Sequence, residues 1–138
     1  EDDNEHLPHN YVHDCVAYTG THDNDTLLGW IWNSEEKTRR YMLAYCRFSG
    51  SDWGRGGPES EICRQIISHM IQSHAGLVIF PIQDLLGYGS DTRMNVPGVA
   101  DGNWTFRLSQ TALSSLDVKG YSFINHLYRR KASVLDFL

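Results

Sequence analysis

His22, Asp23 and Asp25 lie within the polar run TGTHDND, residues 19–25, directly behind the apolar stretch CVAYT. A carboxylate in such a place can attack a substrate, carry a proton, or stand as a fixed anion beside a developing positive charge. The same residue types also do plain structural work. Asp23 fits an N-cap or an Asx turn, and His22 fits a packed, hydrogen-bonded histidine. Asp25, placed before Thr26 and Leu27-Leu28, is the better helix-capping candidate. That leaves Asp23 close to the strand end and not needed as a cap. HDND does not read as a calcium loop, because no bidentate Glu follows at the required distance. His6, His9 and His13 precede the strand, at the end opposite His22, so no metal set is expected. GxSxG is absent, and GRGG and GYGS do not match a dinucleotide-binding GxGxxG. No cofactor is expected.

The elements that must position these groups read as an α/β pattern. Residues 15–19 are β-branched and aromatic and end at Gly20, which predicts a strand. Asn33, three residues before Glu36, predicts a capped helix with Met42, Tyr45 and Cys46 on one face. SGSDWGRGGP, 49–58, is loop by its glycines and proline. Ser60 then predicts a cap for a helix with the stripe Ile62, Ile66, Ile67, Met70 and Ile71. LVIFPI, 77–82, is an unbroken apolar run of the kind buried on both faces of a parallel sheet. A strand, a helical excursion and a second strand make a βαβ unit. Two weaker helices are expected near 109–116 and from about Ser122 onward, the second using Phe123, Ile124, Leu127, Tyr128, Val134 and Leu135. Functional groups in parallel α/β folds gather beyond the carboxyl ends of strands. TGTHDND and QDLLGYGSDTRMN, 83–95, therefore open on one rim. Two parallel strands make a poor core alone, so the chain reads as the last quarter of a larger α/β protein.

Composition excludes several classes. A net charge of −5 and no long basic run argue against nucleic-acid binding. YRRK, 128–131, reads as a solvated helix end. No apolar run reaches membrane-spanning length, and no signal peptide opens the chain. Cys15, Cys46 and Cys63, odd in number and without CxxC spacing, predict reduced thiols and a cytoplasmic location. Trp30, Trp32, Trp53 and Trp104 lie in or beside polar loops, where an indole can stack on a sugar or fill a gap between loops.

Two blocks carry a more specific signal. YTGTHDNDTLLGW (18–30), preceded by LPHNY (7–11), resembles the 4-α-glucanotransferases known as amylomaltases or disproportionating enzymes. QDLLGYGSDTRMNVPG, followed by GNWTFRL (83–108), is similar to a second signature of that family. The resemblance runs from about Leu7 through the final helix.

It implies that residues 1–138 are the C-terminal part of a (β/α)8 TIM barrel of the α-amylase-like clan. The strands at 15–19 and 77–82 would be the barrel's strands seven and eight, incomplete as a standalone barrel. Such enzymes pass α-1,4-glucan segments between malto-oligosaccharides with retention, through a covalent glycosyl-enzyme. By the resemblance Asp23 matches the third carboxylate, which stabilises the transition state. His22 matches a histidine that hydrogen-bonds the transferred sugar, and Asn95 matches a loop bordering the glucan. Arg93 would anchor that loop. The nucleophile and the acid/base belong to earlier strands, and Glu59, Glu61 and Asp84 do not occupy their places. Retaining chemistry needs two carboxyls about 5 Å apart. The isolated chain is therefore expected to be inactive, and its exposed strand edges could associate with another copy. The competing readings are a non-catalytic α-glucan-binding or scaffolding module and a small hydrolase built on His22 and Asp23.

Overall fold

The computed structural model describes residues 3–130. Its centre is a pair of short parallel strands, β1 (Val16–Tyr18) and β2 (Leu77–Ile79), with Val16 opposite Leu77, Ala17 opposite Val78 and Tyr18 opposite Ile79. Both strands are shorter than their apolar runs. After Ile79 the chain reaches Pro81, which has no N–H for a ladder and instead precedes the short helix α4 (Ile82–Leu85).

Three helices cross between the strands: α1 (Leu27–Asn33), α2 (Glu36–Tyr45) and α3 (Glu61–Gln72). The side chain of Ser60 accepts from the Cys63 N–H at 3.3 Å and starts α3, as its sequence suggests. Asn33 does not cap α2. It is the last residue of α1, and Glu35 takes the N-cap position without a side-chain bond.

The core joins α1 to α3. Leu28, Ile31, Ile62 and Ile67 are 1% exposed or less, and Leu27, Cys63 and Ile71 complete the cluster. Each fully buried aliphatic side chain contributes about 1.5–3 kcal/mol. Ile66 sits at the margin of the stripe and is only partly buried. Ala17, Met70 and Ala75 fasten α3 to one face of the sheet.

The other sheet face is bare, contrary to the expectation that 77–82 is covered on both sides. Val16 and Tyr18 are each 50% exposed, Leu77 53% and Ile79 52%. Alternate side chains of a strand point to opposite faces, and α3 covers only one of them.

Beyond β2, a 3-10 turn (Ser90–Thr92) precedes the loop that holds Arg93 and Asn95. Helices α5 (Gln110–Ser114) and α6 (Val118–Leu127) follow. Helix α6 starts at Val118, earlier than its apolar spacing suggests, because Asp117 caps it through the Gly120 N–H at 2.9 Å. Tyr121 and Ile124 are the α6 residues that reach the core, whereas Phe123 and Leu127 are exposed. Val134 and Leu135 lie outside the described residues.

Arg130 is not a free cation at a helix end. Its Nε, Nη1 and Nη2 donate to the carbonyls of Ile71, Ala75 and Ser73 at 2.6, 2.7 and 2.7 Å. It thereby satisfies carbonyls that the end of α3 would leave unpaired. No described helix is long and apolar enough to cross a membrane.

Candidate active site

The loop between β1 and α1 is shaped by its own small polar residues. Asn24 folds back on Thr21, its Oδ1 accepting from the Thr21 N–H at 2.8 Å and from the Thr21 hydroxyl at 2.9 Å. With the Asn24 N–H donating to the Thr21 carbonyl at 3.1 Å, this closes a turn that leaves His22 and Asp23 outward, with side chains 56% and 51% exposed.

The loop beyond β2 comes back to meet them. Asn95 Nδ2 donates to Asp23 Oδ1 at 2.6 Å, and Arg93 Nη2 donates to the Asp23 backbone carbonyl at 3.1 Å. His22 Nε2 lies 3.4 Å from the same Asp23 oxygen. Both side-chain contacts fall on Oδ1, and Oδ2 has no hydrogen-bond partner among the described residues.

Trp104 stands behind His22, with ring centroids 5.1 Å apart and planes at 40°. Its φ of +60 is in the left-handed region that side chains rarely adopt, and its N–H donates to the Met94 carbonyl at 2.6 Å. The 96–103 segment closes on itself through Asn103, which accepts from the Val96 N–H and donates to the Val99 carbonyl.

Asp25 is not the helix cap that its position suggested. The Thr26 hydroxyl accepts from the Gly29 N–H at 3.1 Å and does that work. Asp25 stands one residue too early, and accepts instead from the Thr26 N–H at 2.7 Å and the Ser90 hydroxyl at 2.9 Å. It therefore ties the first loop to the second.

Asp84 has an equally specific place that its sequence position alone did not suggest. It is 2% exposed and accepts from the Thr19 hydroxyl at 2.5 Å and the Leu27 N–H at 2.9 Å. Burial raises its pKa above the ordinary carboxylate range, the bonds from Leu27 and Thr19 pull the other way, and nearby Asp25 adds to the rise. The signal available was an acid set between apolar residues, in FPIQDLLG.

A recess of about 170 Å³ is lined by His22, Asp25, Gln83, Asp84 and Arg93 among others. A larger hollow of about 640 Å³ runs past Tyr11, Tyr18, Trp30, Tyr41 and Tyr45, and neither Asp23 nor Asn95 lines it. Hydrogen bonding, rather than cavity size, singles out the surroundings of Asp23 as the chemical site. No cluster of three metal-ligating side chains occurs among the described residues.

The arrangement places a half-exposed carboxylate at the carboxyl end of a strand, with an amide and an imidazole beside it. Chemically it is suited to facing a polyhydroxyl ligand and stabilising positive charge on it.

Comparison with known proteins points to one class of enzyme. The family model for 4-alpha-glucanotransferase matches residues 1–113. The 4-alpha-glucanotransferase of Thermus thermophilus is 43% identical over 115 residues, covering 81% of this chain and 22% of that protein. The chloroplastic/amyloplastic 4-alpha-glucanotransferase of Solanum tuberosum is 42% identical over 118 residues, covering 85% of this chain and 19% of that protein. Among solved structures, amylomaltase from Streptococcus agalactiae in complex with acarbose superimposes with a TM-score of 0.78 at 28% identity, covering 94% of this chain and 25% of that one. The chain thus spans about a fifth of the length of these two curated relatives.

Proposed function

The chain belongs to the 4-alpha-glucanotransferase family, and from that premise we propose that it supplies the Asp23 segment of an enzyme moving α-1,4-glucan segments between malto-oligosaccharides. The reaction is a retaining double displacement. A carboxylate from another part of the enzyme attacks the anomeric carbon as the glycosidic bond breaks, and an acid gives its proton to the departing oxygen. The 4-hydroxyl of an acceptor glucan then replaces the enzyme carboxylate, losing its proton to that same acid/base group.

Asp23 forms no bond in either step. Its anion faces the ring as it becomes oxocarbenium-like, where a fixed negative charge lowers the barrier. His22 donates to sugar hydroxyls, Asn95 holds the Asp23 carboxylate and borders the glucan, and Arg93 anchors the Asn95 loop through the Asp23 carbonyl.

The observation that carries this reading is the 2.6 Å bond from Asn95 to Asp23, which joins the two sequence signatures in one site. The bare sheet face adds support for the C-terminal part of a (β/α)8 barrel with β1 and β2 as strands seven and eight. Val16, Tyr18, Leu77 and Ile79 are large side chains of the kind that fill a barrel interior, while α3 covers the outside. Three free thiols, two of them buried, support a reducing, cytoplasmic setting.

The test is Asp23→Asn in the complete enzyme, with maltotriose as substrate. Disproportionation is expected to fall by at least about 10²–10³-fold, with the thermal midpoint little changed, since the side chain is half exposed. Near-normal turnover in that variant, or a complete wild-type enzyme that does not disproportionate maltotriose, overturns the reading.

A further inference from the structure

Asp84 sits in α4, just beyond β2, yet its two oxygens reach both ends of the first loop. Oδ2 takes the hydroxyl of Thr19, the last residue before the loop, and Oδ1 takes the N–H of Leu27, the first residue of α1. Between those two points lie Gly20 to Thr26, the residues that carry His22 and Asp23. At 2% exposed and with both oxygens engaged, Asp84 does not face a ligand.

We propose that Asp84 is a positioning residue which, by gripping Thr19 and Leu27 with one carboxylate, fixes both ends of the loop so that Asp23 meets the reacting sugar correctly. The inference rests on the transferase reading of Asp23.

The physical argument is geometric. Asn24 shapes the tip of the loop but ties it only to Thr21, which is itself within the loop. Asn95 and Arg93 hold Asp23 from a second surface segment, and Asp23 remains half exposed. Asp25 and Thr26 tie the far end of the loop to Ser90, Asn33 and Gly29, but Asp84 is the one side chain among the described residues whose hydrogen bonds join both ends, beside β1 and at the start of α1. A buried carboxylate accepting two hydrogen bonds is a stiff link, because breaking either bond strands a donor or a charge away from water. A transition-state contact tolerates little displacement, so a loosened anchor should slow chemistry more than it weakens binding.

The experiment uses the complete enzyme with maltotriose, assayed well below the thermal midpoint of each variant. Asp84→Ala removes both anchors but also leaves the Leu27 N–H buried and unpaired, so it is a poor sole test. Thr19→Val removes one anchor with almost no change of shape. It is expected to lower kcat by about 10–100-fold with KM within about twofold. Asp84→Asn can keep both anchors, its oxygen accepting from Leu27 while its NH2 donates to a reoriented Thr19 hydroxyl, and should stay within about threefold of wild type.

A double-mutant cycle adds the decisive readout. If Thr19 and Asp84 act through Asp23, then Thr19→Val should cause no further loss in an Asp23→Asn background. Unchanged kcat in Thr19→Val, a loss confined to KM, or full additivity with Asp23→Asn overturns the proposal while leaving the transferase reading intact. A wild-type enzyme without disproportionation removes both.

Discussion

Asp23 and Asp84 are both aspartates placed just beyond an apolar run, and their surroundings give them opposite work. Asp23 keeps one oxygen unbonded at a half-exposed site, whereas Asp84 uses both oxygens in the interior. The cysteines divide in a similar way. Burial pushes the thiols of Cys46 and Cys63 up to about 11, while Cys15 is partly exposed. At pH 8 a thiol with that pKa is ionised in only about one molecule in a thousand, and the thiolate is the reactive form. Iodoacetamide at pH 8 should therefore alkylate Cys15 first, and Cys46 and Cys63 only after unfolding, as peptide mass spectrometry would report. Rapid labelling of Cys63 in the folded protein would show that α3 leaves its core position under native conditions.

The elements are held by their ends more than their sequence periodicities suggest. Helix α6 meets α3 through Arg64, which pairs with Asp117, and through Tyr121 beneath the same guanidinium. The hydrogen bond from the Gly120 N–H and the contact with Arg64 hold the Asp117 carboxyl below its ordinary range. A depressed folded-state pKa contributes stability that is present above the unfolded value and disappears as pH falls through the folded value. Thermal midpoints should thus drop on acidification below the ordinary carboxylate range. Asp117→Asn, which preserves a good cap but removes the charge, should flatten that acid limb; an unchanged acid limb would show that this pair does not secure α6. Gly87 supplies another such junction. Its φ is +64, and an added Cβ would lie 2.2 Å from the Gly57 carbonyl oxygen, so the two loops approach through a site only glycine fits. The length of α6 was harder to read for a related reason. Asp117 starts it, and a cap acts from outside the apolar stripe by which a helix is recognised.

At the scale of the whole molecule, the fold leaves one sheet face bare, and on the proposed reading Asp23 needs a nucleophile and an acid/base from elsewhere in the enzyme. Of the other carboxylates, Glu59 pairs with Arg55 on the surface and Asp84 is sealed in the interior. The 138-residue chain alone should therefore release no glucose or longer glucans from maltotriose, as chromatography of the products would check. Turnover by this chain alone would mean that it holds a complete catalytic set. The parallel βαβ order, the α3 stripe and its Ser60 cap were all readable from residue spacing, because local periodicity and capping are properties of neighbouring residues. The meeting of His22 and Asp23 with Asn95 was also legible beforehand, because the two signatures were expected on one rim of the sheet. Which residue would cap α1 was not, since Asp25 and Thr26 are adjacent and both suit a cap; α1 begins at Leu27, which puts Thr26 at the cap and leaves Asp25 to the Ser90 hydroxyl. The grip of Asp84 on Thr19 and Leu27, and the bare face of β1 and β2, were likewise decided by tertiary structure. Both depend on what stands across space from a residue, and hydrogen-bond partners far apart along the chain leave no period in it.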